Sequence, residues 1–186
     1  MNRSGFRIAV VFLLLTAAAA DAAAGEATAL RKLVQRGEKA PAFALEDIDG
    51  RTVAVNPGGG KPTLVVFFSA FCPLCRELAP SVREIASRID RPIRVVAVNL
   101  DGRRFAGAVR SFIAEYDFRF PVLLDEIRND MFMASDPYGV DKTPTAVLID
   151  GRGSVYGSYA ADRMRDLVRD FDRIVAGLEE GNGVTN

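Results

Sequence analysis

Both cysteines of this 186-residue chain fall in one stretch, VVFFSAFCPLCRELAP over residues 65–80, as Cys72 and Cys75. Two thiols at this spacing can supply half of a zinc site, close a small disulfide, or exchange electrons with another disulfide. The zinc option lacks its other half: with no histidine and no third cysteine in the sequence, one chain cannot complete the usual Cys/His structural site. Covalent haem attachment needs His directly after the second Cys, where Arg76 stands. A purely structural bridge would gain little, because the chain entropy a disulfide removes grows with the length of the loop it closes.

The reactive option has a local physical basis. Pro73 suits the first position of a helix, where its missing N–H would have no partner anyway, and this sets Cys72 at the cap. The unpaired N–H groups and the positive end of the helix dipole there favour a thiolate. Cys75, one turn further in, is placed to attack a mixed disulfide formed on Cys72. The expected roles are therefore Cys72 as nucleophile and Cys75 as resolving thiol, with no metal and no cofactor beyond their disulfide.

These residues need a frame. TLVVFFSA, apolar without a break from Leu64 to Phe68, reads as a buried central strand. Leu78, Val82, Ile85 and Ile89 recur at helical spacing behind the cysteines, giving a helix from about Pro73 to Ile89. IRVVAVNL is a second buried strand, and Phe105, Val109, Phe112, Ile113 and Tyr116 mark a second amphipathic helix. FPVLLD follows as a strand, then the less regular EIRNDMFMASDPYGVDK. TAVLID, the turn GRG and SVYGSYA make a hairpin, and Met164, Leu167, Val168, Phe171, Ile174, Val175 and Leu178 form the stripe of a last helix. Ahead of the core, a short helix is expected from Ala27 to Gln35. Two short strands then flank the Asp49-Gly50 turn. A frayed tail is expected from about residue 179. The order implies an α/β layer with a sheet covered on both faces.

The N-terminus has a different character. Arg3 and Arg7 precede an apolar run from Ile8 to Ala20, and small residues follow in ADAAAG. That is the layout of a secretory signal peptide over residues 1–24, cut after Ala22 or Ala24; the rival, an uncleaved N-terminal anchor, has a run of only 13 residues against the roughly 20 that span a bilayer. Residues 25–186 are then one exported domain, periplasmic or outside the cell, with no stable membrane anchor once the signal is cleaved. In an oxidising compartment two nearby thiols close unless something keeps reducing them. The 24 basic and 24 acidic residues cancel without a basic block, which argues against nucleic acid as a partner.

The strand, the Cys-x-x-Cys pair and the following helix with Pro80 resemble the thioredoxin superfamily, and Thr143-Pro144 ahead of TAVLID looks like its cis-proline segment. More narrowly, GEKAPAFALEDIDGRTV and YGVDKTPTAVLID resemble exported TlpA and ResA-type redoxins over nearly all of residues 37–178. The resemblance implies a thioredoxin-like fold with a central mixed sheet flanked by helices and an N-terminal β-hairpin extension. It also implies thiol-disulfide exchange with protein clients, in the reducing direction, as in maturation of cytochrome c or another periplasmic protein. A periplasmic or membrane donor would supply the electrons, and a monomer is expected. Phe71, Pro73, Leu74, Thr143 and Pro144 are the expected client-binding residues, with Tyr138 joining Phe71 and Leu74 in an apolar rim. Several positions depart from the family pattern. Phe71 stands where Trp is frequent, Val66 where cytoplasmic thioredoxin has a buried acid, and the ResA-type glutamate falls near Asp101 or Gly102. Asp101 is thereby a candidate proton acceptor for Cys75. Two alternatives remain: a redoxin-type thiol peroxidase, whose signature Ser69 matches although Val65 replaces its proline, and a non-catalytic assembly factor on the same scaffold.

Overall fold

The computed structural model describes residues 32–88 and 93–182. The signal segment and Ile89 lie outside them, as does most of the expected Ala27–Gln35 helix, whose described end, residues 32–35, is irregular.

An antiparallel hairpin comes first, β1 (Phe43–Glu46) and β2 (Thr52–Val55). Asp47 closes it: its Oδ1 accepts the backbone N–H groups of Asp49 and Arg51, both at 2.9 Å. The core sheet then begins with β3 (Thr63–Phe68), α1 (Pro73–Ser87), β4 (Arg94–Asn99), a 3₁₀ turn (Arg103–Phe105), α2 (Ala106–Glu115) and β5 (Val122–Leu124). A two-stranded excursion, β6 (Ile127–Arg128) and β7 (Met131–Phe132), leads into the short helix α3 (Ser135–Tyr138). The chain returns as the hairpin β8 (Thr145–Ile149) and β9 (Val155–Ala160), a 3₁₀ turn (Ala161–Arg163) and α4 (Met164–Asn182). That last helix is described to Asn182, past the start of the tail expected from about residue 179.

The five-stranded sheet has the order β5-β4-β3-β8-β9, with β3 central, parallel to β4 and antiparallel to β8. Strands β3, β4 and β5 step the same way across the sheet, and parallel crossovers are right-handed, so α1 and α2 lie on one face. Because side chains alternate along a strand, β3 divides its apolar residues between the two faces. Leu64 and Val66 pack with Leu78, Val82 and Ile85 of α1 and with Leu167 and Phe171 of α4. Phe68 joins Val109 and Phe112 of α2. Val65 and Phe67 face the other way, onto Phe43, Leu45 and Val55 of the hairpin and onto Tyr138. The two faces are thus covered unequally, three long helices against a hairpin and one short helix.

Both sheet edges are also engaged. The Ile48 N–H donates to the Val122 carbonyl at 3.2 Å beside β5, while Gly37 and Glu38 bond Val155 of β9. Covering edges this way removes sites for unwanted strand pairing. Gly139 ends α3 in the left-handed region at φ 67°, and a Cβ there would lie 2.2 Å from the Lys32 carbonyl oxygen.

Candidate active site

Strand directions bring three separate segments to one place. Because β4 runs parallel to β3, its end at Asn99 lies beside Phe68; because β8 runs antiparallel, its start at Thr145 lies beside Phe67. The loop into α1, the Asn99–Asp101 segment and the Thr143-Pro144 segment therefore converge at the C-terminal edge of the central strands.

Cys72 is the N-cap of α1 in extended conformation, with Pro73 following at the first helical position. Its Sγ accepts the Cys75 N–H at 3.3 Å, the bond an N-cap side chain makes. The Thr143–Pro144 bond is cis, and the Cys72 thiol donates to the Thr143 carbonyl at 3.5 Å. Both cysteines are free thiols, Cys72 half-buried and Cys75 buried.

The two sulfurs differ electrostatically. Burial works to raise the Cys72 pKa. Hydrogen bonds from the Cys75 thiol and backbone N–H, from the Thr143 side chain and from the Leu74 N–H outweigh it, and the net position is below an ordinary thiol. For Cys75, burial is the larger effect and the hydrogen bond to Cys72 adds to it, so its pKa is pushed up to about 12. One sulfur is prepared to be a thiolate while its neighbour keeps the proton. Behind Cys75 lies a cavity of about 20 Å³ lined by Val66, Phe68, Phe112, Phe118, Pro144 and other apolar side chains. Val66 supplies no carboxylate there.

The remaining expected residues divide. Phe71 is 59% exposed beside Cys72 and stacks edge-on against Phe105 at 5.2 Å; Pro73 is exposed, Leu74 and Thr143 are half-buried, and Pro144 is buried. Tyr138 does not belong to the rim. It is fully buried on the opposite face against Phe43 and Phe67, its hydroxyl donating to the Pro41 carbonyl at 2.8 Å, because its apolar ring completes the layer under the hairpin. Asp101, the candidate acceptor for the Cys75 proton, has both carboxylate oxygens engaged elsewhere. Oδ1 accepts from the Ser69 hydroxyl at 2.6 Å, and Oδ2 accepts from the Ala70 N–H and the Asn99 amide, each at 2.8 Å. The Ser69 hydroxyl is also occupied as an acceptor, from the Phe71 N–H at 3.1 Å.

Sequence reasoning missed Phe105, whose place in an amphipathic pattern hid its contact with Phe71, and the Ser69–Asn99–Asp101 cluster. Both depend on proximity across strands. Among the described residues, no group of three or more His, Cys, Asp or Glu is placed to hold a metal ion, and no helix is long and apolar enough to cross a membrane.

Residues 35–175 match the Redoxin family. The thiol-disulfide oxidoreductase ResA of Oceanobacillus iheyensis is 30% identical over 179 residues, covering 91% of this chain and 90% of the relative. ResA of Halalkalibacterium halodurans is 25% identical over 146 residues, covering 78% of this chain and 80% of its own. Among solved structures, a putative thiol:disulfide interchange protein DsbE from Chlorobium tepidum superposes with a TM-score of 0.66 at 28% identity, covering 79% of this chain and 99% of that one.

Proposed function

The chain belongs to the redoxin family as a ResA-like thiol-disulfide oxidoreductase of thioredoxin fold, and on that premise we propose that Cys72 and Cys75 reduce disulfides of protein clients outside the cytoplasm. The observation that carries the assignment of roles is the asymmetry of the pair: a cap-held sulfur below an ordinary thiol's pKa beside a buried one far above it.

The Cys72 thiolate attacks one sulfur of the client disulfide in line with the S–S bond. That bond breaks, a client thiolate leaves, and a mixed disulfide joins Cys72 to the client. Cys75 then gives up its proton and attacks the Cys72 sulfur. The second client sulfur departs as a thiolate, the Cys72–Cys75 disulfide forms, and two electrons have passed to the client. Because Cys75 ionises reluctantly, resolution is the step that needs a proton acceptor, and the departing client thiolate is itself a base of the required kind. Phe71, Pro73 and Leu74 line the approach to Cys72. The Thr143-Pro144 segment faces the client backbone from the other side.

The signal-like N-terminus supports export, which places the clients in an oxidising compartment and makes a reductant dependent on a separate donor. Maturation of a cysteine-containing periplasmic protein, cytochrome c among them, fits that direction. The chemistry needs no group beyond the two thiols. A peroxidase reading finds little support, since the Ser69 hydroxyl that matches the peroxiredoxin signature is committed to Asp101 and the Phe71 N–H.

The test is the reduction potential of the pair against defined thiol buffers, together with single cysteine variants. A reductant is expected near the thioredoxin value of about −270 mV, whereas a value near about −120 mV would make the protein an oxidant. Cys72→Ser is expected to abolish turnover and Cys75→Ser to accumulate mixed disulfides. Wild-type turnover by Cys72→Ser would sink the assignment.

A further inference from the structure

We propose that Asp101 is a positioning residue: acting with Ser69 and Asn99, it clamps the loop that aims the first N–H groups of α1 at the Cys72 sulfur. The inference rests on Cys72 being the attacking thiol.

Three residues, Ser69 to Phe71, connect the end of β3 to the cap Cys72 of α1, and Asp101 reaches them from the end of the neighbouring strand. Its Oδ2 takes the Ala70 N–H, and its Oδ1 takes the Ser69 hydroxyl, which in turn receives the Phe71 N–H. The Ser69 carbonyl accepts the Cys72 N–H at 3.2 Å, and the Ala70 carbonyl accepts from the Arg76 guanidinium at 3.3 Å. Every backbone N–H from Ala70 to Cys72 therefore ends on Asp101 directly, on the hydroxyl that Asp101 holds, or on that serine's own carbonyl. The carboxylate is itself fixed. Asn99, fully buried, donates its amide N–H to Asp101 Oδ2 and accepts the Asp101 backbone N–H at 3.0 Å. Asn99 also reaches the Phe68 carbonyl at 3.5 Å, so the clamp closes back onto the strand from which the loop departs.

The consequence for chemistry is geometric. The Cys75 N–H meets the Cys72 sulfur only while Cys72 keeps its cap conformation, and that conformation is the end point of the clamped loop.

The sign of the effect separates this part from a direct electrostatic one. Charged groups on the elements that carry and flank the pair include Asp101 itself, Arg76 with its partner Glu115, Glu77 with Arg165, Arg104 over the Phe105 ring that stacks on Phe71, and the exposed Asp141 and Lys142 on the segment leading to Thr143. Removing a negative charge near a thiolate makes the thiolate easier to form. Loosening the cap makes it harder. Asp101→Ala does both, Asp101→Asn removes the charge while keeping one oxygen acceptor, and Ser69→Ala removes the bridge with no change of charge.

The experiment is the rate of Cys72 alkylation by iodoacetamide against pH, on the reduced full-length chain and each variant. Ser69→Ala is expected to move the midpoint upward and to slow alkylation below it by about 3- to 10-fold, as expected of a weakened cap. Asp101→Ala is expected to move it the same way, with the double variant no worse than the more affected single one, since the two act as a unit. Asp101→Asn should fall between wild type and Asp101→Ala. Faster alkylation in Asp101→Asn, or an unchanged midpoint in Ser69→Ala, would overturn the clamp, and these two variants suffice if Asp101→Ala does not fold. A wild-type midpoint at the ordinary thiol value would overturn the reading of Cys72 itself, and the clamp with it.

Discussion

The split between the two thiols should be visible in the pH dependence of stability, with opposite signs on either side of an ordinary thiol pKa. In the unfolded chain both cysteines titrate near an ordinary thiol value of 9.0, whereas in the folded dithiol Cys72 lies below it and Cys75 at about 12. Between the Cys72 value and pH 9 the unfolded state holds one more proton than the native state, so stability rises with pH. Above pH 9 the native state keeps the Cys75 proton that the unfolded chain has lost, and stability falls. The slope there is about 1.4 kcal/mol per pH unit for one proton, so the interval from pH 9.5 to 11.5 should cost about 3 kcal/mol. Tyrosines and lysines titrate in the same interval, so the comparison must be with Cys75→Ser, in which this proton is missing while a hydroxyl remains beside Cys72 and Cys72 is already ionised above pH 9. The assay is urea unfolding of both proteins under reducing conditions at several pH values from 8.5 to 11.5. The difference between their unfolding free energies should shrink steadily with pH above 9. Parallel curves would mean that Cys75 ionises at its ordinary value, and the argument for a proton-retaining resolving thiol would fail.

Three further outcomes follow from packing. Gly139→Ala should cost about 2–4 kcal/mol, because it sets a Cβ against the Lys32 carbonyl in a left-handed conformation; unfolding by urea or heat reads it, and a change under 1 kcal/mol would contradict the contact. Tyr138→Phe should lose about 1–2 kcal/mol through the unpaired Pro41 carbonyl, while the rate with a protein disulfide stays at the wild-type level, since the ring lies on the far face of the sheet. A fall in that rate without a fall in stability would restore Tyr138 to the client-binding rim. Phe112→Ala, in the cluster with Phe68, Tyr116 and Phe118, should cost about 3–5 kcal/mol. It also opens space behind Cys75, where Phe112 lines the small cavity, so its alkylation by a neutral reagent should accelerate in the folded protein.

What could be read from the sequence was whatever depends on local spacing. Buried strands such as Leu64–Phe68 announce themselves by unbroken apolar character, α1 and α4 by helical periodicity, and the cap by Cys72-Pro73, because each pattern is set within a few residues. What could not be read depends on which strand lies beside which. Tyr138 carries the same apolar-plus-hydroxyl character whether it lines a rim or fills a core. Only the passage of the 133–140 segment across the hairpin face decides between them. Asp101 shows the same dependence in a functional residue. At the end of a strand an aspartate is ordinarily solvated, and from the sequence alone its alternative was a proton acceptor reaching toward Cys75. The parallel register that sets Asn99 against Phe68 brings its carboxylate to Ser69 and Ala70, a contact no local pattern announces. Val66 is apolar, and both Asp101 oxygens are held by Ser69, Ala70 and Asn99. On the proposed mechanism the client's leaving thiolate is then the base at hand for the Cys75 proton, which would tie the rate of resolution to that thiolate's basicity.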